Sequence, residues 1–143
     1  MLSLSCKYAL RAVVYIMSKA NTLHRSGIKE IADAIGANEH TTAKILQVLA
    51  KEGLIHSAKG PSGGFYLLPD TEPIYLIQIV RVIDGDHFFF DCALGLKECS
   101  ESKPCPIHKS YKAARTDLYQ KFSNITVQQL SQEITLGKAV LKR

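Results

Sequence analysis

No stretch of this 143-residue sequence stays apolar for the roughly 20 residues that a membrane span requires. Its start, MLSLSCKYAL, lacks the basic, then apolar, then small-residue order of a secretory signal. Both absences point to the cytoplasm, where thiols stay reduced. No nucleophile beside a base and no phosphate-binding glycine loop is visible, so an enzyme is not expected. The cysteines number only four, and without a signal peptide they do not read as the disulfide framework of a small secreted domain.

What is present suffices for a core, with 46% hydrophobic and 8% aromatic residues. The length suits one domain, or one small domain with an oligomerisation extension. Net charge is +5 and the sequence pI is near 9.0, which points to a polyanionic partner. The excess is uneven: residues 1–69 hold eight Lys or Arg against four Asp or Glu, and residues 70–143 hold ten against nine. The basic half is the first.

Three of the four cysteines fall in one stretch, Cys92, Cys99 and Cys105, and His108 follows after Pro106 and Ile107. The stretch has neither helical nor strand periodicity, and Gly95, Pro104 and Pro106 let its backbone wrap around an object. Structural zinc usually takes ligands in pairs two to four residues apart, and only Cys105 and His108 match. Inert loop thiols are the plainest alternative, although free cysteine is more often buried. An iron-sulfur cluster suits the donors best, since iron prefers thiolates and an imidazole can replace one of them.

Upstream, LSCKYALRAVVYIMSKA (4–20) is apolar on most faces and reads as a helix buried on more than one side, with Cys6 as a packing residue or, alternatively, a reactive thiol. IKEIADAIG is a short helix stopped by Gly36, and Asn38 then caps EHTTAKILQVLAKEG. In this second helix Ala43, Leu46, Leu49 and Ala50 are expected inward with Ile45 beside them, and Glu39, His40, Thr41, Thr42 and Lys44 outward. The pair is a helix-turn-helix, which places its second helix in the DNA major groove. LIHSAKGPSGGFYLL adds a β-hairpin, making the unit a winged helix. His40, Thr41 and Thr42 are candidate base readers, and Lys44, Lys59 and Arg11 candidate phosphate contacts; at the wing Ser62 and Gly63 let the backbone approach the duplex.

After Pro69 and Pro73, IYLIQIVRVIDG is a helix ended by Asp84 and Gly85. The Phe88-Phe89-Phe90 run is expected as a hydrophobic wall around the cysteine loop or a subunit contact. Residues 107–123 form a helix with the stripe Tyr111, Ala114, Leu118 and Phe122, suited to a partner helix. Thr126 with Gln129 forms a capping box for a last helix, and the tail with Lys138, Lys142 and Arg143 is expected to be disordered.

The wing KGPSGGFYL, the loop with Cys92, Cys99, Cys105 and His108, and the helix ending in SNIT together resemble the Rrf-two family of bacterial transcription regulators, in particular its iron-sulfur members of IscR and NsrR type, over nearly the full length. The resemblance implies a mainly α fold: a winged helix-turn-helix over 1–70, and the cluster loop with a long dimerisation helix over 71–143. It implies a homodimer on a double-stranded DNA operator. It also implies a cluster held by Cys92, Cys99, Cys105 and His108, [2Fe-2S] in preference to [4Fe-4S], because the NsrR-type carboxylate position falls near Lys7. The chain departs from the pattern in its six-residue first cysteine gap, in Lys59 and Ser62 on the wing, and in His40 and Ala43 on the recognition helix. Cys6 and Asp91 are alternative ligands. A cluster-free thiol or partner sensor and an iron-sulfur electron carrier are the competing functions.

Overall fold

The computed structural model describes all 143 residues. Its hub is α1 (Leu4–Ser18), opened by Ser3, whose hydroxyl accepts from the Cys6 amide at 3.0 Å. Cys6, Ala9, Ala12, Val13, Val14, Ile16 and Met17 are all buried, so the helix is covered on more than one side, as its apolar pattern predicts. Helices α2 (Ile28–Ile35), α3 (Glu39–Lys51), α4 (Leu76–Ile83) and α7 (Val127–Thr135) pack around it.

Between α2 and α3 the chain turns at Gly36, φ +72°, and Asn38 caps α3 by accepting from the Thr41 amide at 2.8 Å. The wing is the antiparallel pair β1 (His56–Ala58) and β2 (Gly64–Tyr66), in register His56 opposite Tyr66. Ser26, in the connection from α1 to α2, adds a bridge to Phe65: its amide donates to the Phe65 carbonyl at 2.9 Å and its carbonyl accepts from the Phe65 amide at 2.8 Å. The wing is thereby stitched to the helical body along its second strand.

One cluster of 18 buried residues forms the main core and runs from Ala9 to Val127, so residues on both sides of position 70 share it. A smaller cluster joins Cys6, Ile77, Val80 and Phe89. Phe89 lies in α5 (His87–Phe90) and meets Tyr119 and Phe122 edge-on, with ring centroids 5.5 and 5.7 Å away. The triple phenylalanine is therefore split: Phe89 is core, Phe88 half-buried and Phe90 exposed.

Helix α6 (His108–Asn124) leans on α4 and α5 and buries only His108 fully. Its covered side comprises Tyr111, Arg115, Leu118, Tyr119 and Phe122; Ala114, expected in the stripe, is exposed. The helix turns slightly so that the aromatic rings, with far more area than a methyl group, reach α4 and α5. Thr126 and Gln129 make the expected capping box. The C-terminal segment is ordered against expectation: Leu141 packs on the core and the Lys142 ammonium donates to the Asp33 carbonyl at 3.1 Å. Asp33 lies near the C-terminal end of α2, which has no basic residue in its own last turn and so attracts a cation from elsewhere. No helix is long and apolar enough to cross a membrane.

Candidate nucleic-acid interface and cysteine loop

Helix α3 presents His40, Lys44, Gln47 and Val48 to solvent, with Thr41 at the margin. Thr42 does not belong to this face. It is fully buried, and its hydroxyl donates to the Asn38 carbonyl at 2.8 Å, so it cannot read a base edge. The buried positions are Thr42, Ile45, Leu46 and Leu49: Ile45, Leu46 and Leu49 are inward as expected, whereas Ala43 and Ala50 are only half-buried and Thr42 takes an inward place instead. The sequence reading treated threonine as polar and therefore outward; bonded back to its own helix, it packs like valine. With Thr42 inward, Gln47 falls on the open face one turn beyond Lys44.

Lys59 and Ser62 are exposed on the wing. Gly63 is half-buried, and a Cβ there would overlap the Ala58 carbonyl, so its lack of a side chain serves the turn itself. Arg11 is half-buried, and its Nη1 donates to the Ile35 carbonyl at 2.8 Å at the C-terminal end of α2. The sequence reading missed Arg25, whose guanidinium lies 5.1 Å from the Tyr66 ring, and His56, tilted against the same ring with centroids 5.3 Å apart. Only the Ser26–Phe65 bridge brings Arg25 beside the wing.

At the base of this face, burial pushes the Glu30 carboxyl up, but the Ser26, His24 and Tyr15 side chains outweigh it and hold the group below the usual carboxylate range. Tyr15 donates to one carboxylate oxygen at 2.8 Å and His24 Nε2 meets the other at 2.8 Å.

The second site is the loop from Asp91 to Ile107, free of helix and strand. Cys92 and His108 are buried, at 9% and 8% exposure, and Cys99 and Cys105 are half-buried. The four meet in two pairs. Cys99 Sγ lies 3.4 Å from His108 Nδ1, and the Cys105 side chain lies close enough to the Cys92 thiol to help lower its pKa. The Leu96 and Leu94 amides aim at the Cys92 sulfur, and with Cys105 and the Gly95 amide they depress its pKa against the opposing effect of burial. Such a nest of backbone donors favours an anion. His108 Nε2 is buried without a hydrogen-bond partner, at 3.5 Å from Oε2 of Glu101, whose other carboxylate oxygen faces the Lys112 ammonium.

This donor set fits iron and sulfide: a thiol whose pKa is lowered, two further thiols and an imidazole nitrogen left unpartnered in a buried place. The two pairs are not closed around a common point, and no three His, Cys, Asp or Glu side chains form a ready metal cage. The alternative ligands stand apart. Cys6 is sealed in the smaller core, where burial first and then Asp84 push its thiol up to about 12, and the Asp91 carboxylate faces the His87 ring at 3.3 Å. An open cleft of about 700 Å³ has Cys105 and His108 in its wall, so one member of each pair borders free space rather than packed protein.

The sequence matches the model of a family described as iron-dependent transcriptional regulators, Rrf2, over residues 2–133. The chain belongs to the Rrf2 family. It is similar to the HTH-type transcriptional regulator NsrR of Bacillus licheniformis, with 25% identity over 124 residues covering 86% of each chain. Among solved structures it resembles CymR, titled the global cysteine regulator of B. subtilis, at TM-score 0.74 and 22% identity, covering 92% of this chain and 96% of that one. It also resembles IscR of T. potens at TM-score 0.71 and 22% identity, covering 98% and 92%. At these identities the two structures establish the fold alone: the mainly helical winged-helix architecture expected from the sequence. This Rrf2-family chain is a transcription regulator.

Proposed function

We propose that this regulator binds operator DNA as a homodimer, and that its affinity is set by an iron-sulfur cluster, [2Fe-2S] in preference to [4Fe-4S], held by Cys92, Cys99, Cys105 and His108. The supporting observation is the meeting of Cys99 with His108 at 3.4 Å, in the same loop that carries Cys105 and Cys92, whose thiol pKa is lowered. When bound, the cluster supplies a centre that oxidants and changes of redox state can alter or dismantle.

The chain converts that state into geometry. His108 is the first residue of α6, so drawing the two donor pairs together anchors the start of the long helix and orders the loop before it. In a dimer built on α6, the position of that helix sets the distance between two α3 helices, which must match half-sites about 34 Å apart. Residues 1–70 then read DNA and residues 71–143 report the state of the loop. His40, Thr41 and Gln47 face base edges, while Lys44, Lys59 and the Ser62–Gly63 turn meet phosphates. Lys59→Ala weakens binding to all sequences and flattens the salt dependence.

The test is anaerobic reconstitution of the full chain with ferrous iron and sulfide. Bound iron, acid-labile sulfide and visible absorbance are expected, together with operator affinity that falls when the cluster is removed. Cys99→Ala should lose both. Colourless protein that discriminates operator from random DNA as well as the reconstituted form does would end the proposal.

A further inference from the structure

Arg115 lies two turns along α6 from His108, on the side that faces the loop. Its guanidinium reaches three points of the loop. One nitrogen, Nη1, donates to the carbonyls of Phe90 and Asp91, at 3.0 and 2.6 Å, and Nη2 lies 3.5 Å from Cys99 Sγ. The Tyr111 ring supports it at 5.7 Å from the centroid. No Asp or Glu carboxylate is paired with Arg115; the ion pairs nearby are Glu101 with Lys112 and with His108. Its charge is therefore not cancelled by a carboxylate and lies next to sulfur.

The two carbonyls belong to the end of α5 and the residue before Cys92, where a helix terminus leaves acceptors without internal partners. Cys99 itself sits between two groups of α6, His108 Nδ1 at 3.4 Å and Arg115 Nη2 at 3.5 Å. A planar fork of five donors can hold a pair of carbonyls and a sulfur at once, whereas a lysine ammonium is a single point of charge.

We propose that Arg115 is the positioning residue that ties the cysteine loop to α6: it fixes the backbone on which Cys92 rides and holds the Cys99 sulfur against the helix. It is not itself a ligand. This rests on the iron-sulfur reading above, and it adds the physical link between the loop and the long helix. A cation donating to a ligand sulfur also favours the reduced, more negative state of the centre, so Arg115 raises its reduction potential.

The test compares full-length wild type with Arg115→Met and Arg115→Lys. In metal-free protein, the rate of tryptic cleavage after Lys97 reads how firmly the loop is held; Arg115→Met is expected to be cut about tenfold faster, as loss of charge-assisted hydrogen bonds implies, and Arg115→Lys at an intermediate rate. In protein reconstituted anaerobically with ferrous iron and sulfide, the midpoint potential should shift negative in Arg115→Met and be largely restored in Arg115→Lys, which keeps the charge. Wild-type behaviour of Arg115→Met in both measurements overturns the proposal. Faster cleavage with an unmoved potential removes the sulfur contact and leaves a purely structural residue. Wild type that takes up no iron defeats the iron-sulfur reading instead, and the cleavage rates still decide whether Arg115 holds the loop. Should Arg115→Met fail to fold, Arg115→Gln, which removes the charge but keeps a polar side chain, takes its place in both comparisons.

Discussion

The DNA-reading head and the cysteine loop are built on opposite principles. The head is a closed structure: α3 is capped by Asn38, buried through Ile45, Leu46 and Leu49, and joined to a wing that Ser26 bridges to the helical body. The loop has turns but no regular element, and it is held by side chains: the Cys99–His108 contact, the Arg115 fork and the Glu101–Lys112 pair. A reader of base edges needs a surface that exists before DNA arrives, because ordering it on binding would reduce affinity. The proposed cluster loop calls for the reverse, a segment whose order depends on what it holds. The difference teaches that stability is concentrated in the half that must not change.

The sharpest way to break this contrast is a pair of leucine truncations. Leu46→Ala, fully buried in the head, should cost about 2–5 kcal/mol in urea unfolding, whereas Leu96→Ala, 53% exposed in the loop, should stay within about 0.5 kcal/mol. Equal costs would mean that the loop is as much a part of the folding core as α3.

Next in size is a pair of glycines. Gly64 has φ +145°, and an added Cβ would lie 2.8 Å from the Ser26 carbonyl; Gly95 has φ +71° with open space around it. Gly64→Ala should cost about 2–3 kcal/mol and weaken DNA binding by loosening the wing, while Gly95→Ala should cost about 1 kcal/mol and leave the metal-free head's DNA affinity unchanged. Thermal melts with DNA titration of the metal-free protein measure both.

A third comparison lies within α3. Thr42→Val removes a hydrogen bond to Asn38 and should cost about 1 kcal/mol without altering base preference. His40→Ala, exposed, should change preference at one base pair with a stability effect of at most about 0.5 kcal/mol. Altered operator preference in Thr42→Val would restore it as a base reader.

The smallest effect is on acid stability. The carboxyl of Glu30 titrates lower in the folded chain than its unfolded value of about 4.3, so its contribution is complete above that pH and is lost as pH falls through the depressed folded value. Its side chain is 37% exposed, so solvent screening limits the term to about 0.5 kcal/mol. Glu30→Gln should flatten the decline of stability below pH ~4.3 without changing the behaviour of the cysteine loop. An unchanged acid profile would detach Glu30 from the stability of the head.

Local signals were legible wherever one residue decides a local geometry. Gly36 had to end α2 and Asn38 had to open α3; Thr126 with Gln129 marked the start of α7 from the sequence alone. The grouping of Cys92, Cys99, Cys105 and His108 was equally visible as spacing. Thr42 was misread because a hydropathy pattern cannot tell a hydroxyl that bonds its own helix from one that faces water. The Arg11 contact was not legible because its acceptor, the Ile35 carbonyl, lies on another helix.

The linear chain by itself determined the winged helix-turn-helix, its membership of a regulator family, and which four side chains carry soft donors, since each depends on residue type and near neighbours. Only the tertiary structure decided how those donors pair, that Arg115 grips the loop from 16 and more positions away, that Ser26 completes the wing, and that Lys142 returns to Asp33 across 109 residues. The reason is physical: a hydrogen bond depends on distance and direction in space, and between residues far apart in sequence these are set by how the helices pack, which no local pattern encodes.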